Sequence, residues 1–426
     1  MKILIIGSGG REHALCRAFK NSSAASGAEI FCADGNAGIA EIAECVNIKP
    51  DEIDKLAGFA AENKIDLTFV GGETALALGI VDEFEKRNLK IVGASRRAAQ
   101  LEASKAFAKD FMSRHRIPTA AYEIADSTAK AAEILRSGKF GGENSPVVVK
   151  ADGLAAGKGV VVAKDRNEAL EAVDELENIV GRQAVSKIVL EECLVGREVS
   201  LLLFADGKNF ALMPPARDHK RIGEGDMGAN TGGMGVITDA SLLSAEQTRE
   251  IVEKIVEPTL NGCRREGFEF RGILFLGLMM TASGAKVLEY NARFGDPETQ
   301  AILIRLETDF LEICEAIHAQ TLDKLSIKWK PGSSACVVLA SKGYPAKAQT
   351  GDVIRGLDEA AAEDENVYVF HAGTAANENG EFITAGGRVL GVTATADNLD
   401  AALKKAYGAV GKISWNGMQF RRDIGR

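Results

Sequence analysis

Val147-Val148-Val149-Lys150-Ala151-Asp152-Gly153-Leu154-Ala155-Ala156-Gly157-Lys158-Gly159-Val160-Val161 reads strand, glycine-rich loop, strand. A Walker loop has the form G-x-x-x-x-G-K-[ST] and opens a helix. Here three residues separate Gly153 from Gly157, Gly159 stands in place of the hydroxyl residue, and a strand follows. The stretch is therefore not a P-loop. A glycine hairpin of this kind can fold over a polyphosphate, its amides and Lys158 meeting the charge while Lys150 reaches in from the strand. On a bare surface the same lysines would be ordinary solvated residues, so the surrounding chain has to decide.

Upstream, strand-like runs Lys2–Ile6, Glu29–Ala33, Asp66–Val70 and Lys90–Val92 alternate with helix-like stretches near Glu12–Phe19, Glu52–Asn63 and Leu76–Arg87. That alternation predicts a doubly wound parallel α/β domain. A helix over Ser104–Arg116, stopped by Ile117-Pro118, links it to a second unit. Around the hairpin, short strands Pro146–Lys150, Val160–Ala163, Lys187–Glu192 and Glu198–Phe204 are joined by glycine-rich turns. The long apolar pair Gly272–Thr281 and Ala285–Tyr290 is expected as central strands of a larger sheet. Lys328-Trp329-Lys330-Pro331-Gly332 reads as a linker, and Ser334–Ala340 opens a last α/β or β-rich unit.

At 426 residues the chain has room for three or four such units. Lys+Arg 51 against Asp+Glu 60 gives −9 with no basic tract, which argues against a nucleic-acid surface. Seven scattered cysteines without C-x-x-C spacing signal neither a disulfide framework nor a zinc site, and a reducing cytosol is expected. The apolar run at the N-terminus reaches Gly7 at once, too short for a membrane span or signal peptide, and no membrane segment is read elsewhere.

Gly7-Ser8-Gly9-Gly10 follows the first strand and leads into a helix, the setting of a phosphate-cradling turn. Glu12 stands where a dinucleotide fold needs its third glycine, so NAD binding is disfavoured and a single phosphate ligand preferred. Gly35-Asn36-Ala37-Gly38 and Gly71-Gly72-Glu73-Thr74 follow the second and third strands. Loops at the carboxyl ends of parallel strands share a crevice, so the three could line one pocket, with Glu73 bonding a ribose or amine. Each alone could be only a turn. Leu190-Glu191-Glu192-Cys193-Leu194 with Glu198 could be a connector whose backbone pairs with adenine while Glu198 holds the ribose; solvated strand ends are the plainer reading. Glu289 and Asn291, at i and i+2 on one strand face, offer two hard oxygens suited to Mg²⁺ or Mn²⁺ between phosphates. Arg293-Phe294-Gly295-Asp296-Pro297-Glu298 follows with a cation for a developing charge. His13 and His219 read as scaffold residues rather than catalysts.

Taken in order, Gly7–His13, Gly35–Gly38, Leu101–Lys109, Lys150–Gly159, Asp218–Arg221, Asn230-Thr-Gly-Gly-Met-Gly235 and Arg293–Glu298 resemble the glycinamide ribonucleotide synthetase family of the ATP-grasp superfamily, over nearly the whole chain. The resemblance implies ligation of glycine to 5-phosphoribosylamine by ATP through a glycyl phosphate. It implies an N-terminal domain over 1–103, an ATP-grasp region over 104–327 with a small lid lobe near 120–192 and a large lobe near 193–327, and a C-terminal domain over 328–426. Carried over, Lys105 and Lys150 would contact ATP phosphates, with Gly153, Gly157, Lys158 and Gly159 in the closing loop. Glu191, Glu192 and Leu194 would serve adenine and Glu198 the ribose, while Glu289 and Asn291 would hold the metal. Gly9, Gly10, Asn36 and Glu73 would line the phosphoribosylamine pocket, joined by Asp218, Lys220 and Arg293. Arg293, Asp218, Lys220 and Asp296 are the candidate catalytic set. A monomer acting on small molecules is expected. Ala216-Arg217-Asp218 departs from the family pattern, where glutamine commonly precedes the aspartate, and Gly71–Ala75 replaces a proline-containing loop. A biotin carboxylase-type subunit is the rival enzyme reading.

Overall fold

A computed structural model describes residues 1–24, 26–154, 159–180 and 187–426. The N-terminal sheet has five strands in the order Glu44–Val46, Glu29–Asp34, Lys2–Gly7, Leu67–Val70, Ile91–Val92, all parallel. Ile3 to Ile6 are wholly buried because helices cover both faces of such a sheet. The chain works outward from Lys2–Gly7 in one direction and then the other, so the loops after Gly7 and Val70 meet at the switch of strand order, where α/β sheets place ligands. The helix expected over Leu76–Arg87 is two helices, Glu73–Leu78 and Ile80–Lys86. Gly79, at φ 90°, breaks the hydrogen-bond ladder between them.

A small lobe carries the antiparallel order Tyr122–Ala125, Ile188–Glu192, Val147–Ala151, Val160–Ala163. Its own core, with Val149, Leu190, Leu135 and Leu176, lies between that sheet and helices Thr128–Arg136 and Arg166–Val180. The hairpin expected from the sequence is present, Val147–Lys150 pairing with Val160–Ala163.

A nine-stranded sheet dominates the rest of the molecule, beside two small two-stranded sheets. Gly284–Asn291 is its edge strand and Arg271–Thr281 the second, which corrects the central placement read from their apolar character. The edge is not bare, since Thr119 bridges to Val287 and the small lobe stands over it. Sheet pairing also runs across the stretch read as a linker: Ser333–Ala340 pairs with Gly235–Thr238 on one side and Arg388–Ala396 on the other. Trp329 explains why that stretch is not loose, because its ring stacks on Phe204 at 6.5 Å. Among the described residues no helix is long and apolar enough to cross a membrane.

Candidate active site

The small lobe faces the edge of the large sheet, and the cleft between them collects the lysines singled out above. Ser104 caps the helix Lys105–Arg114 by accepting from Phe107 N–H, and Asp152 receives both Ser104 Oγ and Ala106 N–H. This ties the helix start to the head of the glycine loop, where Lys105 Nζ donates to Gly153 O at 2.9 Å. Gly157 and Lys158 lie outside the described residues. Gly153, Gly159, Lys105, Lys150, Glu289, Asn291 and Arg293 share one cavity. Leu194 and Glu198 line an adjoining space of about 520 Å³ together with Asp218 and Lys220. Glu192 accepts from Ala121 N–H and from Lys286, which anchors the connector to the edge strand. Glu191 borders both spaces, its buried carboxylate 2.9 Å from Lys109 and 2.8 Å from Lys150.

Glu289 and Asn291 do fall on one side of their strand and line the same cavities. The ladder shifts register after Gly277, so Glu289 stands opposite a glycine, where a Cβ would approach its Cγ to 3.0 Å. Burial alone would raise the Glu289 carboxyl, but Lys220, Lys150 and Lys105 hold it below its ordinary value. Lys220 lies 3.7 Å from Glu289 and 3.6 Å from Glu198, and these carboxylates raise its ammonium above the ordinary lysine value despite burial. Arg293 donates to Asn291 Oδ1 at 3.1 Å. Among the described residues no group of three or more His, Cys, Asp or Glu side chains gathers as a metal site. One carboxylate and one amide oxygen beside a phosphate-sized cleft nevertheless suit a hard cation that completes its shell with phosphate and water oxygens.

Arg293 is the joint between this cleft and the N-terminal sheet. Its guanidinium lies 2.7 Å from Glu102 and 3.2 Å from Glu73, the residue that opens the helix after the third glycine loop. Arg11 donates to Phe294 O at 2.9 Å through its side chain and to Asp296 Oδ2 at 3.2 Å through its backbone. Against the upward push of burial, Arg293 and Arg11 hold the Glu73 carboxyl down to about 2. Asp218 moves the other way: burial and the neighbouring Glu298 push it well above the ordinary aspartate value. Arg11, Glu73, Arg293, Asp296, Asp218 and Glu298, with Lys220 and Arg388, line a further space of about 340 Å³.

Comparison with known proteins identifies the family. Family models of phosphoribosylglycinamide synthetase match the chain in three parts: the N domain over residues 1–102, the ATP-grasp domain over 103–299 and the C domain over 334–426. The chain belongs to the phosphoribosylglycinamide synthetase family. It is 48% identical to phosphoribosylamine–glycine ligase of Pseudomonas aeruginosa over all of this chain and 97% of that one. The crystal structure of phosphoribosylamine–glycine ligase from Thermotoga maritima superposes with a TM-score of 0.84 at 31% identity, covering 99% of this chain and all of the other. Biotin carboxylase from Campylobacter jejuni, at 15% identity and a TM-score of 0.72 over 98% and 92% of the two chains, shares the fold.

Within this family member the glycine loops are less open than their sequence suggests. Gly9 N–H donates to Glu12 at 2.6 Å, so the acid that replaces the dinucleotide glycine closes the turn itself. Gly10 is buried against Gln300, where a Cβ would come within 2.5 Å of Nε2. Asn36 is fully engaged: its amide donates to Ser8 O and His371 O, and Oδ1 accepts from Ile39 N–H. Glu73 and Arg293 line the space of about 340 Å³, whereas Gly9, Gly10 and Asn36 are not among its lining residues and hold the loops behind it. Sequence reasoning passed over Arg11, Glu102 and Glu298, although each lies inside a quoted motif. Arg388, which bonds Gly232 O and Asp296 O at 2.6 Å from the C-terminal part, had no local signal.

Proposed function

We propose that this chain joins glycine to 5-phosphoribosylamine in an ATP-driven reaction that gives glycinamide ribonucleotide, ADP and phosphate, a step of de novo purine synthesis. The observation that carries the reading is the Arg293–Glu73 contact, which brings the nucleotide cleft and the N-terminal loops into one site. Full-length relatives named phosphoribosylamine–glycine ligase support it, whereas the biotin carboxylases share only the fold.

Glycine's carboxylate is a poor acyl donor. Its oxygen takes the terminal phosphoryl group as the bond to ADP breaks, and the amine nitrogen then attacks the carbonyl carbon as phosphate leaves. Lys105 and Lys150 would meet the phosphates, with Gly153, Gly157, Lys158 and Gly159 closing over them; Glu192 and Leu194 would border adenine and Glu198 the ribose. Arg293 would face the transferred phosphoryl group, and Asp218, Lys220 and Asp296 would orient the amine. Glu289 and Asn291 would hold Mg²⁺ or Mn²⁺, which when bound neutralises phosphate charge. Because water destroys an acyl phosphate, the small lobe has to exclude it. The amine needs little activation, so holding it in line supplies much of the rate. All seven cysteines are free thiols, as a reducing cytoplasm requires. One chain supplies every group named, so a monomer suffices.

The test is phosphate release from ATP with each substrate omitted in turn. Release should require both glycine and phosphoribosylamine; release that ignores either one would overturn the reading.

A further inference from the structure

Behind the phosphate cleft lies a line of three ions that the reaction above does not use as a unit. Lys109, Glu191 and Lys150 have side-chain exposures of 2%, 2% and 8%. Glu191 Oε2 is 2.9 Å from Lys109 Nζ, and Oε1 is 2.8 Å from Lys150 Nζ but without hydrogen-bond alignment. Two buried lysines therefore share one carboxylate, and one positive charge is left over. Each lysine is also tied to backbone or hydroxyl oxygens: Lys109 donates to Thr119 Oγ1 at 2.7 Å, Thr119 passes a bond to Val287 O, and Lys150 donates to Leu288 O at 3.1 Å. Glu289, on the same cavity, also bears electrostatically on Lys150 and Lys105, so the surplus belongs to the trio rather than to the whole cleft. A buried surplus of this kind is best met by an anion. Lys105 adds a third cation to the same cavity, its ammonium donating to the carbonyl of Gly153.

We infer that Lys109 is a positioning residue for nucleotide binding: by holding Glu191, it leaves the charge of Lys150 free for the polyphosphate. Lys109 sits on the helix Lys105–Arg114, Glu191 and Lys150 on small-lobe strands, and Val287 and Leu288 on the edge strand. The same contacts thus set where the small lobe stands over the large sheet. Without Lys109, Glu191 has, among the described residues, Lys150 alone to pair with, and the trio loses its surplus charge.

The inference rests on the nucleotide reading of the cleft and is tested by charge balance. Wild type carries a net of plus one in this trio, K109M zero, and the double variant K109M/E191Q plus one again. For K109M, calorimetry should show ATP affinity lowered about tenfold, with the ATP KM raised by a similar factor, kcat changed less than about threefold and glycine KM unmoved, the pattern of lost uniform binding. K109R should stay near wild type. With E191Q as the fourth corner of the cycle, adding K109M to E191Q should cost less than about threefold in ATP affinity, against about tenfold in the wild-type background, because Lys150 no longer has a carboxylate to be released from. If K109M costs as much in the E191Q background as in wild type, or if K109M shifts glycine KM as much as ATP KM, Lys109 is merely structural and the inference fails. Should K109M not fold, a double variant more than about tenfold weaker than E191Q decides against it. Wild-type protein that bound no ATP would remove the nucleotide reading, and this inference with it.

Discussion

Glu102 shows how much a single buried acid can decide. Its carboxylate lies 2.7 Å from the Arg293 guanidinium and also accepts the backbone N–H of Ala292, so it fixes both the side chain and the turn that carries it. Glutamine at this position keeps an acceptor for the backbone but loses the ionic hold. Glu102→Gln should therefore lower kcat about tenfold through a misplaced Arg293, with little effect on ATP KM. Steady-state rates against each substrate read this directly. Glu289→Gln removes charge from a carboxylate that three lysines already hold down. Its turnover should fall at least about tenfold while the melting temperature stays within about 2 °C, and unchanged turnover would take Glu289 out of the site. At this scale the sequence is readable where chemistry follows local spacing. Glu289 and Asn291 share a side because a strand repeats every two residues. Glu102 and Arg11 stayed hidden because their partners, Arg293 and Asp296, lie far along the chain.

Among the elements, the loop Asn230–Gly235 has little room to vary. Gly233 adopts φ 120°, and a Cβ there would stand 2.6 Å from Pro297 Cδ and 2.8 Å from Asp218 Oδ1. Gly233→Ala must move either the Arg293–Glu298 turn or Asp218, besides meeting backbone strain. The expected loss is roughly 1–3 kcal/mol in a urea titration, accompanied by weaker phosphoribosylamine binding and an unaltered ATP affinity. A titration curve matching wild type would show that the loop gives way cheaply. Element existence was legible where periodicity was strong, as in Lys2–Gly7 and the hairpin around Lys150. Element placement was not. Gly284–Asn291 has the apolar look of a central strand yet lies at an edge, because strand neighbours are chosen by the whole sheet. Likewise Gly10 and Asn36 are expected to line a substrate pocket, but their contacts with Gln300 and His371, hundreds of residues away, could not be read from local spacing.

The three parts of the molecule are joined through buried histidines, and this gives the whole fold an acid sensitivity. His13, on the first helix, accepts at Nδ1 from the backbone N–H of His371 in the C-terminal strand Val367–His371. His219 lies within 3.1 Å of Gly235 O through Nδ1 and accepts Gly425 N–H at Nε2, an arrangement that uses both nitrogens of a neutral ring. Burial, aided by His371 and Arg17, brings His13 down to about 3; burial brings His371 to about 4; burial and Arg217 bring His219 to about 4. In the unfolded chain a histidine titrates near 6.5. Above that pH neither state binds the proton and the groups leave stability unchanged. Below it the unfolded chain takes up protons that the folded chain refuses until pH reaches about 4 or 3. Stability must therefore fall as pH drops below about 6.5, approaching about 1.4 kcal/mol per pH unit for each histidine once the unfolded form is protonated. Most carboxylates titrate lower, but the raised carboxyls of Asp218, Glu298 and Glu102 oppose the slope by binding protons in the folded state. The comparison of wild type with a histidine variant from about pH 6 to pH 5 therefore carries the test. Urea midpoints across that interval should show the slope, and His13→Asn, which keeps an acceptor for His371 N–H, should reduce it by one proton's worth. An undiminished slope in that variant would mean that His13 is protonated in the folded protein and that its bond to the C-terminal strand is not the one described.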